Sequence, residues 1–355
     1  MTTNFYTKEI SPGGCCLAIL FGLFMGLIAG QSQAQSVPQT VANTTQNRHS
    51  STIPVIFDTD MGPDYDDVGA IALLHAYADS GRVRILATIA STSYPNVGRV
   101  LDVLNTYFGR PDLPIGVPKG KAVTDQDRQH WSDTLVARYP HTIRSNSDAP
   151  DAVALYRQLL ARQPDQSVTL ISVGFLTNLA NLLTSGPDQY SPLSGRDLVR
   201  RKVNQLVSMA GRFPAGREFN VHMDTPASKI VYSDWPTPML LSGFEIGEKI
   251  HSGLPLIQNS RIRNSPVKDV FRISIPLDKN DAGGRMSWDQ TAVLVAAEGY
   301  TPYYTVRTGR LTLNPDGSNG WDASGRGHQY LVERVPARQV EQRINELMQH
   351  QPLKR

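Results

Sequence analysis

Five aspartates crowd into the acidic loop formed by residues 58–67 (DTDMGPDYDD), and they are the strongest chemical signal in the sequence. They are Asp58, Asp60, Asp64, Asp66 and Asp67. Carboxylates this close together repel and raise one another's pKa values unless a cation lies among them. Their oxygen atoms are the hard ligands that Ca²⁺ and Mg²⁺ prefer. A helix N-cap would use one or two of these side chains rather than five. The loop therefore predicts a metal site, with a capped and solvated acidic loop as the alternative.

The residues on either side of the acidic loop predict a strand before it and a helix after it. Residues 55–57 are Val, Ile and Phe, as in a buried strand, whereas Val68, Ile71, Ala72 and His75 recur at helical spacing. The carboxylates would therefore lie at the carboxyl end of a parallel strand, where open α/β sheets bind their ligands.

Two other kinds of metal site have similar acidic motifs. An EF-hand needs a helix before its loop and a Glu at the twelfth position, but here a strand comes first and Gly69 is twelfth from Asp58. A haloacid-dehalogenase-type phosphotransferase also begins with Asp-x-Asp after an apolar strand, with Asp58 as its nucleophile beside Mg²⁺. The acidic loop alone excludes the first and leaves the second open.

Further along the chain, strand-like and helix-like segments alternate, which predicts βαβ units and a parallel sheet. The predicted strands are residues 83–92, 113–120, 167–174, 203–211 and 237–243, and the predicted helices are residues 97–109, 149–164 and 286–298. Residues 121–150 lack clean periodicity and predict a loop over the strand ends. A β-hairpin is expected over residues 303–321 and a terminal helix over residues 337–350. The expected fold of residues 52–355 is a single α/β domain with a mainly parallel central sheet flanked by helices.

The N-terminal part of the chain predicts export. An apolar core at residues 15–30 is followed by Ser32-Gln33-Ala34, a small-x-small cleavage pattern, so residues 1–34 resemble a secretory signal peptide. A retained N-terminal anchor is the alternative, although the core is short for a membrane span. Residues 35–51 are rich in Gln, Asn, Ser and Thr and predict a disordered tether. We expect a secreted, periplasmic protein without a stable membrane anchor after cleavage.

Composition argues against cysteine chemistry and against nucleic-acid binding. Both cysteines, Cys15 and Cys16, lie inside the predicted signal peptide, so the exported chain would carry neither a reactive thiol nor a disulfide. The formal net charge is +3, without clustered Lys or Arg, which argues against nucleic acid as a partner.

Polar residues also follow the later predicted strands. Glu218 and Asn220 come shortly after the strand VNQLVSMAG, and the Val173 carbonyl can face the acidic loop from the end of another strand. Trp288 and Asp289 precede an apolar helix, which on its own indicates an N-cap with a hydrophobic staple. All these residues would meet at the carboxyl edge of the sheet.

These motifs, in this order, resemble the inosine-uridine-preferring nucleoside hydrolase family. The family's hallmark is an Asp-rich loop after the first strand, and here it has two more residues before the Asp-Asp pair than the shortest family loops. The supporting matches are residues 174–180 (GFLTNLA), residues 218–220 (EFN) and Trp288-Asp289. The resemblance runs from residue 53 to about residue 300. It weakens the phosphotransferase interpretation, which needs neither of the last two motifs.

The resemblance implies a reaction and a role for each matched residue. The implied ligands of Ca²⁺ are the side chains of Asp60, Asp67 and Asp289 and the Val173 carbonyl. Asp60 would also be the general base toward the attacking water. The implied sugar contacts are Asp66 to a ribose hydroxyl, and Glu218 with Asn220 toward O3′ and O5′. The implied reaction is hydrolysis of the N-glycosidic bond of a ribonucleoside to free base and ribose, in a family whose members are commonly dimers or tetramers.

Three departures from the family pattern bear on the substrate. Trp288 stands where many members have a His, so the usual general acid at the base is missing; a purine-preferring subgroup carries Trp there, and we expect a purine substrate. Ser91-Thr92-Ser93 replaces the family's Gly-Asn, which leaves Thr92 as a candidate substrate contact, and Arg212 replaces an Asn. A sugar- or nucleoside-binding protein that has lost catalysis is therefore the alternative.

Overall fold

The computed structural model describes residues 52–353, which contain eleven strands and thirteen α-helices. The predicted signal peptide and tether lie outside the described residues. The strands are β1 (Ile53–Thr59), β2 (Val83–Ala90), β3 (Ile115–Gly116), β4 (Val168–Ser172), β5 (Val203–Met209), β6 (Met239–Ser242), β7 (His251–Ser252), β8 (Arg285–Met286), β9 (Tyr304–Leu313), β10 (Asn319–Asp322) and β11 (His328–Glu333). The helices are α1 (Asp66–Asp79), α2 (Val97–Tyr107), α3 (Trp131–Arg138), α4 (Ala152–Ala161), α5 (Thr177–Thr184), α6 (Gly195–Lys202), α7 (Phe219–Met223), α8 (Thr225–Asp234), α9 (Phe244–Gly247), α10 (Leu254–Gln258), α11 (Pro266–Ser274), α12 (Trp288–Glu298) and α13 (Ala337–Met348).

Nine of these strands form one central sheet in the order β10-β9-β11-β6-β5-β4-β1-β2-β3. The strands from β11 to β3 run parallel, whereas β9 and β10 continue the sheet in antiparallel pairs. Strands β7 and β8 form a separate antiparallel pair. The predicted fold class, an α/β domain with a mainly parallel central sheet flanked by helices, is confirmed.

Strand β1 lies inside the sheet with both faces covered, which explains its uninterrupted apolar sequence. The side chains of Val55, Ile56 and Phe57 are fully buried. Val55 and Phe57 pack into a hydrophobic cluster with α1, α2 and α12, whereas Ile56 packs into a second cluster with α4, α5, α6 and α8. Successive side chains of a strand point to opposite faces, so β1 joins the two layers of helices.

The structure differs from the sequence prediction in several segments, and α6, α10, α11, β7 and β8 were not predicted. The predicted loop over residues 121–150 contains α3, whose buried residues Trp131 and Leu135 lie one helical turn apart. Only Ile115–Gly116 of the predicted strand at residues 113–120 pairs with β2. Strand β11 was not predicted; it inserts between β6 and β9 and pairs with both.

None of the helices between residues 52 and 353 combines the length and the apolar character that a bilayer span needs.

Candidate active site

A cavity of about 160 Å³ lies at the carboxyl ends of β1, β4 and β5. It is lined by Asp60, Asp64, Asp66, Asp67, Val173, Met209, Glu218, Phe219, Asn220, Phe244, Arg285, Trp288 and Asp289. The structure thus brings together every sequence-predicted site residue except Thr92. The lining combines a group of carboxylates with three aromatic rings and one arginine.

The first aspartate of the loop, Asp58, lies behind the cavity rather than in its lining. Its Oδ2 atom accepts hydrogen bonds from the Tyr156 hydroxyl at 2.8 Å and from Asn178 Nδ2 at 3.0 Å. Burial raises its pKa to about 7. A phosphotransferase nucleophile must face its substrate, so this position does not support the phosphotransferase interpretation.

Four carboxylates of the lining are buried close together, namely those of Asp60, Asp66, Asp67 and Asp289. Burial, and then repulsion among these carboxylates and Asp64, holds the pKa values of Asp60, Asp66 and Asp289 well above their usual range. Burial raises the pKa of Asp67 to about 7, although a hydrogen bond from Thr59 opposes the shift. At neutral pH the cluster is therefore energetically costly without a positive partner.

This donor set fits a hard divalent cation. One carboxylate oxygen from each of Asp66, Asp67 and Asp289 lies within 4.8 Å of the others. This trio differs from the predicted ligands in one member, because the predicted set has Asp60 in place of Asp66. All the donors are oxygen atoms, and a cation among them would offset the repulsion that raises their pKa values. The residues present therefore fit Ca²⁺; the soft thioether of Met209 also lies in the lining, but it accepts a contact from Asn220 Nδ2 at 3.8 Å and is not part of the oxygen trio.

Asp66 joins the acidic loop to the start of α12. Its Oδ2 atom accepts the backbone N–H groups of Trp288 at 3.1 Å and of Asp289 at 3.2 Å. Asp289 is not the N-cap of its helix, since Ser287 holds that position and Asp289 lies in the first turn. A carboxylate at a helix N-terminus is stabilised by the exposed N–H groups there, so Asp66 fixes the positions of both residues.

A glycine permits the close approach of the β4 end to the acidic loop. A Cβ atom on Gly174 would lie 2.4 Å from the Asp60 backbone nitrogen and 2.6 Å from Ser91 Oγ. The preceding Val173 donates its N–H to the Asp58 carbonyl at 2.8 Å, and its own carbonyl accepts Asn220 Nδ2 at 2.9 Å. The predicted carbonyl ligand therefore lies in the cavity lining and already has one protein partner.

Glu218 shapes the opposite wall by capping the short helix α7. Its Oε1 atom accepts the Asn220 N–H at 2.8 Å, and its Oε2 atom accepts those of Val221 at 3.1 Å and Gly211 at 3.3 Å. Burial raises the pKa of Glu218 to about 7, although these hydrogen bonds oppose the shift. The Oε1 atom keeps a second lone pair for a ligand, whereas Oε2 already accepts two hydrogen bonds.

The structure corrects the prediction for Thr92, which does not line the cavity. The side chain is fully buried, its hydroxyl donates to the Val123 carbonyl at 2.9 Å, and it accepts the Tyr94 N–H at 3.2 Å. Its hydrogen bonds hold the loop after β2 in place, so the residue is committed to the fold. Arg212, the other departure, is exposed, with its Cζ atom 4.7 Å from the centre of the Phe244 ring.

Sequence reasoning missed several residues of the lining, and Arg285 is the most important. It is the positive side chain in a wall of carboxylates. Phe244 was missed as well; its ring centre lies 5.0 Å from that of Trp288, with the planes tilted by 34°. The only signal for Arg285 was its place three residues before Trp288, and nothing in the sequence pointed to Phe244.

Comparisons with known proteins identify relatives of this chain in sequence and in fold. The sequence profile described as "Inosine-uridine preferring nucleoside hydrolase" matches residues 55–324. The pyrimidine-specific ribonucleoside hydrolase RihA of Citrobacter koseri is 28% identical over 236 residues, covering 61% of this chain and 68% of that relative. In fold, the chain is similar to a purine-preferring ribonucleoside hydrolase from Gardnerella vaginalis, with a TM-score of 0.65, 16% identity and coverage of 83% of this chain and 99% of that one. It is also similar to the plant nucleoside hydrolase PpNRh1, with a TM-score of 0.63, 21% identity and coverage of 84% and 99%.

Proposed function

Because the chain belongs to the inosine-uridine preferring nucleoside hydrolase family, it is a ribonucleoside hydrolase, and we propose that it uses Ca²⁺ and prefers purine nucleosides. The observation that carries the proposal is a single cavity in which four buried aspartates meet the rings of Trp288 and Phe244. One part of this lining suits a cation and a sugar, and the other suits a flat, apolar base.

The carboxylates suit the charge that the reaction develops. When the bond between C1′ and the base nitrogen breaks, positive charge builds on the ribose ring. Asp60, Asp66 and Asp289 would stabilise this charge more than they stabilise the neutral substrate, and only such a difference speeds the chemical step.

Asp60 is the proposed general base. It lines the cavity, and burial together with the neighbouring carboxylates of Asp67 and Asp64 holds its pKa well above that of an ordinary Asp. A carboxylate with a raised pKa accepts a proton more readily, which helps the attacking water form its bond to C1′. When bound, Ca²⁺ would orient that water and lower its pKa.

The sugar would be held by Asp66, Glu218 and Asn220, all of which line the cavity. Several hydroxyl contacts fix the ribose relative to Asp60, so that the water meets C1′ in a productive orientation. These assignments come from the family resemblance and from the shared cavity.

The preference for purines rests on Trp288. Its Nε1–H donates to the Phe244 carbonyl at 2.9 Å, which fixes the indole in the cavity wall. Gly247 leaves room for it, since a Cβ atom there would lie 2.4 Å from Trp288 Cδ1. A fixed indole gains more from stacking on a two-ring base than on a one-ring base. The RihA relative is named for pyrimidines, so a comparison of purine with pyrimidine nucleosides tests this preference directly.

A panel of ribonucleosides tests the proposed function. We expect release of free reducing sugar from inosine and adenosine in the presence of Ca²⁺, with slower release from uridine and cytidine. A protein that binds nucleosides without hydrolysing them would release none while still being stabilised by them, and this would contradict the proposal.

Trp288→Ala should lower turnover of inosine by about tenfold, because stacking of aromatic rings contributes up to about 1.5 kcal/mol. Turnover of uridine should fall less. On inosine, Trp288→Phe, which keeps an aromatic ring, should have a turnover between those of the wild-type protein and Trp288→Ala. Steady-state kinetics on both nucleosides measure this. Equal losses on inosine and uridine would mean that Trp288 supports the wall without selecting the base.

We also propose export of the protein, from the resemblance of residues 1–34 to a signal peptide. Cleavage after Ala34 would leave Gln35 at the N-terminus of the exported chain. N-terminal sequencing of that chain tests this, and Met1 would contradict it.

A further inference from the structure

Arg285 holds a desolvated positive charge in the wall of the cavity. Its side chain is only 11% exposed. The Cζ atom lies 5.0 Å from the centre of the Tyr65 ring and 5.1 Å from that of the Trp288 ring. Contacts of this kind between a guanidinium and aromatic faces are stabilising and hold the group in one place.

Carboxylates surround the guanidinium but do not use all its donors. Nη2 donates to Asp64 Oδ1 and lies 3.4 Å from Asp66 Oδ1, whereas Nη1 lies 3.7 Å from Asp281 Oδ1. Asp281 in turn accepts the Tyr65 hydroxyl at 2.5 Å. Nε has no hydrogen-bond partner within residues 52–353. A guanidinium has five N–H donors; both hydrogen bonds to carboxylates use Nη2, and Nε is buried, so the two N–H groups of Nη1 remain for a ligand.

The neighbours of Arg285 place it beside the bond that breaks. It contacts Asp66, the expected partner of a ribose hydroxyl, and Trp288, the expected partner of the base. The glycosidic bond joins the ribose to the base, and a group in contact with both walls lies next to it. Among residues 52–353, no His or Lys lines the cavity, so Arg285 is the cationic donor that the described lining offers.

We propose that Arg285 stabilises the departing base by donating hydrogen bonds to it as it takes up negative charge. The inference rests on the proposed function. The C1′–N bond breaks and its electron pair goes to the base nitrogen. The water oxygen bonds to C1′ and its proton goes to Asp60, and the departed base then takes a proton from solvent. Arginine stays protonated at any working pH, so it stabilises the anion without supplying the proton.

This role narrows the substrate class. An arginine helps most when the base carries an acceptor, such as a carbonyl oxygen or a bare ring nitrogen, that gains charge during bond cleavage. It helps little when the leaving group already departs as a stable anion. The enzyme should therefore depend on Arg285 for natural nucleosides and not for an activated riboside.

The test compares inosine with p-nitrophenyl β-D-ribofuranoside, whose nitrophenolate leaves without assistance. Arg285→Gln should lower kcat on inosine by about 10²-fold, the effect of removing one donor to a developing charge. On the nitrophenyl riboside the same variant should stay within about threefold of the wild-type protein, as expected when the leaving group needs no such donor. Arg285→Lys, which keeps the charge but not the fork of donors, should lose less on inosine than Arg285→Gln.

A control variant and a check of folding distinguish the possible outcomes of this test. Arg138→Gln removes an arginine that pairs with Asp269 at 2.8 Å outside the cavity lining, and both activities should be unchanged. Thermal unfolding with Ca²⁺ checks that each variant is folded. If Arg285→Gln is not folded, Arg285→Lys replaces it in the comparison, and its kcat must again fall more on inosine than on the nitrophenyl riboside. Equal losses on both substrates in a folded variant would overturn the inference. A wild-type protein that cleaves no nucleoside would instead overturn the proposed function.

Discussion

Asp60→Asn should lower nucleoside turnover by at least about 10²-fold at saturating Ca²⁺, because an amide cannot accept the proton of the attacking water. Asn has nearly the same shape as Asp, so the cavity should keep its form. The close packing of Asp60 against Gly174 makes an isosteric change necessary, since little space is available there. Steady-state kinetics on inosine measure the loss.

The pH dependence gives a second readout of the same variant. A general base works only when it is deprotonated, so kcat/KM of the wild-type protein should fall as the pH drops through the pKa that Asp60 has in the Ca²⁺-bound enzyme. Asp60→Asn should remove this dependence. Asp165→Asn is a matched control, because Asp165 pairs with Arg201 and Lys202 on the surface. Near-full activity of Asp60→Asn with Ca²⁺ bound would show that another group is the base.

Asp67→Asn should abolish the stabilisation of the protein by Ca²⁺, and with it the activity. At a hundred times the dissociation constant, a ligand that binds only the folded state contributes about 2.7 kcal/mol, and this contribution should disappear. An amide at position 67 can still accept the hydrogen bond from Thr59, so the loop keeps that contact. Thermal unfolding in EDTA and in Ca²⁺ measures the difference.

Without metal, the wild-type protein should lose its advantage in stability over Asp67→Asn. The pKa of Asp67 is about 7 in the folded state against an ordinary value of 3.8, so the folded state holds more protons than the unfolded state between these values. Stability in EDTA should therefore fall as the pH rises from about 4 to about 7. The raised pKa values of Asp58 and Glu218, also about 7, act in the same direction. Asp67→Asn removes one buried charge, so in EDTA at pH 8 it should be at least as stable as the wild-type protein. A Ca²⁺-dependent gain that survives the substitution would exclude Asp67 as a ligand.

The cluster of carboxylates could be predicted because its signals are local. Crowded aspartates after an apolar strand show where the sheet ends and what it binds there, and Glu218 and Asn220 follow another strand in the same way. The N–H groups that donate to the Asp66 carboxylate belong to residues more than 200 positions away in the chain. That contact follows from the order of the strands, which the sequence pattern does not specify.

The residues that could not be predicted from the sequence have no local sequence signal. Arg285 meets Asp64 across 221 positions of the chain, and its strand β8 is two residues long. Thr92 was misjudged for the opposite reason. Its place in the segment that replaces the family's Gly-Asn suggested the site, but its hydroxyl donates to the Val123 carbonyl. Strand β11 has six residues and only two buried side chains, a pattern too short and too weakly apolar to stand out.

Under the proposed function, the Val173 carbonyl would connect two binding events. It accepts Asn220 Nδ2 at 2.9 Å, and a carbonyl oxygen has a second lone pair, which can face a cation. If the carbonyl oxygen binds both partners, the cation and the Asn220 amide share one atom. Each of them then polarises the carbonyl bond and makes its oxygen a better partner for the other. Thermodynamic reciprocity then applies: whatever factor Ca²⁺ adds to nucleoside affinity, the nucleoside adds to Ca²⁺ affinity. Calcium concentration would set how tightly the enzyme holds its substrate, and substrate would keep calcium from leaving.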